Sequence, residues 1–185
     1  MTTKAYAALL RGVNVGGHRK VPMAELRNLA EELGHTDVRT HLQSGNVVFV
    51  TDAGADEEQL GAALEGAVEE RFGFHVDCLV RDGDYLASVV EQCPFPAAEL
   101  AAKQLHAVYC SGPVGPERFT AVDREAHLPE EFALGDRVLY LRAPEGLGKS
   151  GLAAAIHRPS VLKGLVTTTR NWNTVRKLVE MTRRD

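Results

Sequence analysis

The chain has 185 residues, 44% hydrophobic and 25% charged, which gives one domain or two small subdomains a real core and excludes a disordered chain. A net charge of −4 argues against a general nucleic-acid binder. The longest early apolar run, Ala5 to Leu10, is far too short for a membrane span, and no cleavage-like segment accompanies it. The three cysteines, Cys78, Cys93 and Cys110, form no paired motif, a reduced, cytoplasmic pattern.

In chain order, Lys4 to Leu10 predicts a strand that enters the Gly-rich loop Arg11-Gly12-Val13-Asn14-Val15-Gly16-Gly17. Pro22 fits a helix start, and Met23, Leu26, Leu29, Ala30 and Leu33 keep helical spacing before Gly34. Val38 to Leu42 and Val47 to Val50 predict a hairpin around Gln43-Ser44-Gly45-Asn46. A helix follows with Leu60, Leu64, Val68 and Phe72 on one face, and then a strand over His75 to Val80. This β-α-β-β-α-β order is the ferredoxin-like pattern. A short helix near Asp84 to Gln92 and the Cys93-Pro94-Phe95-Pro96 break place a subdomain boundary, giving residues 1–92 and 93–185.

The second part predicts a strand over Leu105 to Cys110, a helix over Pro116 to Val122, and a hairpin of Phe132–Leu134 with Val138–Leu141. Helices are expected at Gly151 to His157 and from about Asn173. The fold class is therefore α+β, with two ferredoxin-like or half-ferredoxin-like subdomains and mainly antiparallel sheets. Charge is segregated along the chain. Residues 1–20 carry Lys4, Arg11, Arg19 and Lys20 and no acid, while residues 158–185 carry seven basic residues against Glu180 and Asp185. Such ends can present a positive face that attracts anions, or fold against the acidic middle.

Four stretches are rich in Gly, Asn, Arg and Ser: Leu10 to Gly17, Leu42 to Asn46, Pro144 to Ser150, and Thr167 to Thr174. With its LLRGxNVGG start, QSGN hairpin, P.G.G.S loop and TTRNWNT segment, the chain resembles the bacterial domain-of-unknown-function family number 1697. The resemblance runs from Leu9 to Met181 and implies an α+β fold with no assigned activity. One departure is Gly151, where members often carry Lys.

Asn14 stands where a dinucleotide fingerprint needs glycine, so the first loop is not a Rossmann site. Ala143 to Ser150 reads A-x-x-x-x-G-K-S, close to a phosphate-binding loop, but it lacks the leading Gly and a following Asp-tipped strand for magnesium. Ser150 also suits a helix cap. Thr169, Asn171 and Asn173 suit caps as well, Arg170 beside a helix start favours an anion, and Trp172 offers a flat face for a ring or a core contact. The third strand carries Asn46 and Val48 where an RNA-binding sheet would want aromatics, so nucleic acid is not favoured as a partner. No histidine has metal-ligand spacing, and no cofactor is indicated.

The expected ligand-binding residues are Arg11, Asn14, Gln43, Ser44, Asn46, Ser150, Arg170, Asn171, Trp172 and Asn173, gathered in one cleft for a small anionic or nucleotide-like ligand. Two alternatives stand beside this reading. One is an enzyme on a phosphorylated or nucleotide substrate, with Lys149 or His18 titrating. The other is a purely structural role, the motifs locking the fold of an interaction module.

Overall fold

The computed structural model describes residues 1–184 and divides into two compact units. Residues 1–87, together with the chain from Leu178 onward, form the first, and residues 88–177 form the second. The division falls inside two helices, α3 (Gly83–Glu91) and α5 (Trp172–Thr182).

The first unit runs β1 (Thr3–Leu10), α1 (Met23–Glu32), β2 (Thr36–His41), β3 (Asn46–Asp52), α2 (Glu57–Phe72) and β4 (Cys78–Asp82). Its sheet has the order β2-β3-β1-β4, every pair antiparallel. This is the ferredoxin-like arrangement expected from the sequence. Period-two alternation turns Tyr6, Ala8, Leu10, Val47, Phe49 and Val80 to one face. They meet Leu26, Leu29 and Ala30 of α1 and Leu64 and Val68 of α2 in one core. Asp56 caps α2 by accepting from the Gln59 N–H, and Gly73 closes it at φ 76°. The register pairs Leu9 with Asn46 and Leu10 with Cys78. The end of β1 and the starts of β3 and β4 therefore lie at one end of the sheet.

The second unit repeats the topology. Its strands are β5 (Leu105–Cys110), β6 (Glu131–Gly135), β7 (Val138–Arg142) and β8 (Thr167–Asn171), in the order β6-β7-β5-β8, with α4 (Gly151–Ile156) before β8. Val108, Cys110, Phe132, Leu139 and Leu141 pack on Phe119, Leu152 and Ile156.

Three elements differ from the sequence expectation. The helix expected at Pro116–Val122 is a 3-10 turn over Pro116–Phe119, followed by another over Glu125–His127. Asp123 explains the break: its carboxylate takes the N–H groups of Glu125 and Ala126, so a new turn starts there instead of the old one continuing. The strand expected from His75 begins at Cys78. Thr169, expected as a capping residue, instead lies in the edge strand β8 that completes the sheet, while Asn171 at the end of that strand does cap α5.

Candidate functional site

At the shared end of the first sheet, two loops are built against each other. Leu10 N–H donates to the Gly45 carbonyl at 2.9 Å, and Arg11 N–H to the Asp77 carbonyl at 2.9 Å. Val15 and His18 form an isolated antiparallel bridge around Gly16 and Gly17, both at positive φ. Two consecutive left-handed residues are what a tight hairpin turn of the primed type requires, and glycine supplies them without a Cβ clash. The loop is thus a miniature hairpin that holds Val15 at 63% exposure and presents His18, Arg19 and Lys20 to solvent.

Asn14 fixes this hairpin from behind. Its amide nitrogen donates to the Val21 carbonyl at 2.9 Å and the Gln43 carbonyl at 2.7 Å, and its oxygen accepts from the Val21 N–H at 2.9 Å. The backbone at Asn14 has φ 54°, a conformation asparagine tolerates better than most residues. Asn46, fully buried, donates to the His41 carbonyl at 2.8 Å and to Ser44 Oγ at 3.1 Å, closing the second loop on itself. Gly45 has no room for a side chain, since a Cβ there would lie 2.5 Å from Val13 Cγ2.

An open pocket of about 630 Å³ lies where the two loops meet α1, lined by Asn14, Gly17, Lys20, Pro22, Met23 and Gln43. Pro22 occupies the N-cap of the ten-residue α1 and offers no capping side chain. Among the described residues nothing accepts from the N–H groups of Met23, Ala24 or Glu25. Unmet helix N–H groups carry the positive end of the helix dipole. The acid of that first turn, Glu25, is drawn away to Arg71 at 2.6 Å.

Charge around the pocket is uneven. Arg11 lies 3.6 Å from Asp77, which also holds His75 at 3.1 Å. That hydrogen bond raises the His75 pKa above the ordinary histidine value. Arg19 and Lys20 have no carboxylate within ion-pair distance among the described residues. At the opposite end of the sheet, by contrast, Lys4 is closed by Asp82 at 2.7 Å and Asp84 at 2.8 Å.

The remaining expected residues belong to the second unit, where most serve local structure. Ser150 Oγ accepts from the Ala153 N–H, capping α4, and donates to Glu130. Asn171 accepts from the Thr174 N–H at the start of α5. Trp172 is 4% exposed and packs near Tyr140, ring centroids 6.4 Å apart. The Arg170 guanidinium, also buried, donates to Thr168 Oγ1 at 2.6 Å and the Thr169 carbonyl at 3.0 Å. Asn173 is exposed. At Gly151 an added Cβ would come 3.2 Å from the His127 ring, so a longer side chain there would press on that imidazole.

A family model described as "Protein of unknown function (DUF1697)" matches residues 3–140. The chain belongs to this family. A solved structure of a conserved bacterial protein from Streptococcus pneumoniae is similar in fold, with a TM-score of 0.76 and 24% identity over 98% of this chain and 100% of that one. No curated protein matches the chain. The DUF1697 match takes in both loops of the first unit, while Ser150 and Arg170–Asn173 lie beyond it.

Of the residues expected from the sequence of this DUF1697 chain, Asn14 and Gln43 line this pocket; Lys20, Met23 and Ala24, which also line it, were not among them. The signal was present. Lys20-Val21-Pro22 precedes a strong helical period with no Ser, Thr, Asp or Asn to cap it, which leaves the helix start open. No helix is long and apolar enough to cross a membrane, and no group of three His, Cys, Asp or Glu could hold a metal, both among the described residues.

Proposed function

We propose that the protein binds a small anionic ligand, phosphorylated or nucleotide-like, with its charged group at the open start of α1. The observation that carries this reading is the coincidence of unmet helix N–H groups with Lys20 and Gln43 around one pocket. Backbone N–H groups supply directed donors, and Lys20 supplies the neutralising charge. The Gln43 side chain, exposed and without a hydrogen bond among the described residues, can read a further polar group of the ligand. Asn14 and Asn46 act as the frame that holds the two loops in place, and Ser150 and Asn171 are framework residues of the second unit. A structural role for these four is favoured by their internal hydrogen bonds.

A thermal-shift panel of sugar phosphates, nucleotides and acidic metabolites at two salt concentrations tests the proposal. A ligand at 100 times its dissociation constant adds about 2.7 kcal/mol of stability. One selective hit should appear and vanish in Lys20→Ala, whose melting temperature without ligand stays at the parent value. A hit of equal size in Lys20→Ala would overturn the assignment of the site. A shift given by every polyanion and erased by salt would replace a built site with a merely basic surface.

A further inference from the structure

The second unit contains a pocket of different chemistry. It has a volume of about 400 Å³ and apolar walls from Pro94, Phe95, Leu128, Phe132, Ala133 and Leu152. That volume lies in the range of small-molecule sites. Of these, Leu128 is 62% exposed, whereas Phe132 and Leu152 are buried.

Three charged side chains line the same pocket. Glu130 is tied to the start of α4, accepting from the Leu152 N–H at 3.0 Å and from the Ser150 hydroxyl. Glu131 is paired with Arg142 at 2.7 Å. Arg124 has no carboxylate within ion-pair distance among the described residues. Its guanidinium lies over the Phe132 ring, 3.8 Å from the centroid, and Nη1 donates to the Phe132 carbonyl at 3.1 Å. The ring and the carbonyl fix the planar fork in place, yet a guanidinium has five N–H donors and only one is used here. Glu131 is neutralised by Arg142, and Glu130 keeps its charge with its oxygen turned to the N–H and hydroxyl donors at the start of α4, so Arg124 is the cation of this lining that has no carboxylate partner among the described residues.

The open edge of β6 also borders this pocket, since β6 is the outermost strand of its sheet. A pairing peptide would need the Phe132 carbonyl, and Arg124 already occupies it. A small molecule fits the arrangement better than an added strand.

We infer that this pocket is a second binding site, independent of the α1 site, for a small amphipathic monoanion: an apolar chain or ring in the cavity and a carboxylate on Arg124. Arg is suited to planar, bidentate recognition of a carboxylate, and the apolar body supplies the burial.

The test is displacement of the fluorescent dye anilinonaphthalene sulfonate from the full chain by decanoate, decanol and acetate. Decanoate should displace it at a concentration at least about tenfold lower than decanol, as a charge-assisted pair predicts, and acetate should fail. Arg124→Gln should erase the advantage of decanoate over decanol, and Arg124→Lys should keep part of it. Leu128→Asn, at an exposed position that folding tolerates, should weaken decanoate and decanol alike. Lys20→Ala should change none of these values, which separates this site from the first. Equal potency of decanol and decanoate, an unchanged preference in Arg124→Gln, or unchanged displacement in Leu128→Asn would each overturn the inference.

Discussion

The two units share one strand order but spend their residues differently. Between the first strand and the first crossover, the second unit uses five residues, from Cys110 to Pro116, and the first uses twelve, from Leu10 to Met23. Between the hairpin strands the second unit uses two and the first uses four. Seven residues in the first pair of loops have positive φ: Gly12, Asn14, Gly16, Gly17, Arg19, Leu42 and Gly45. Only Arg137 does in the second pair. The topology closes with the shorter loops, so the longer ones exceed what chain connection needs, even though Val13 and Val21 from the first of them pack into the core. Backbone strain concentrated in excess, exposed and basic loops is a feature of binding sites more than of scaffolds.

The contrast can be broken most directly at its two tight glycines. Gly45→Ala forces a Cβ into Val13 and Leu10 at a left-handed backbone position, and should cost about 2–4 kcal/mol in urea unfolding. Gly135→Ala meets Val138 at 2.7 Å without a positive φ, and should cost about 1–2 kcal/mol less than Gly45→Ala. Equal losses would show that the strain in the first unit has no energetic distinction. Asn14→Ala should follow, at about 1–3 kcal/mol, because three hydrogen bonds and a tolerated left-handed residue are lost together.

A smaller effect comes from one histidine in each unit, half-buried His35 and buried His106. Burial lowers the pKa of both His35 and His106 below the ordinary value of 6.5. The unfolded chain then takes up protons that the folded chain refuses. Their contribution to stability is full above about pH 6.5 and declines as the pH falls through that value. His75 has the opposite sign: its raised pKa stabilises below 6.5, and that gain is lost as the pH rises through the folded value. His106→Gln should flatten the acid side of the melting-temperature profile relative to the parent, and an unaltered slope would rule out His106 as its source. The smallest effect on stability is that of Lys20→Ala, within about 0.5 kcal/mol, although ligand binding should disappear with it.

Much of this fold was legible in the sequence, because hydrophobic period reports burial directly. Tyr6, Ala8 and Leu10 alternate, and Leu26, Leu29 and Ala30 recur at helical spacing. What escaped is physically coherent. Thr167, Thr168 and Thr169 are β-branched and favour strands, but their hydroxyls also suit caps, and an edge strand shows no apolar run to decide between them. Pro116 announced a helix start, while the early stop depended on Asp123 taking two N–H groups, a competition that spacing does not reveal. At the candidate site, asparagine content drew the reading toward Asn14 and Asn46, whose amides turn inward. The free donors belong to the backbone of α1, which no side-chain inventory contains.

The first unit is also discontinuous along the chain. Arg39 donates to the Met181 carbonyl at 2.8 Å, and Gly83 lies so close to Thr182 that a Cβ would meet it at 3.1 Å. During synthesis, the sheet that carries the candidate site leaves the ribosome early, but it lacks these last contacts until residues 178–184 have been made. The second unit is translated whole in the interval. A message cut short after Lys177 would therefore yield a complete later unit and an unfinished earlier one.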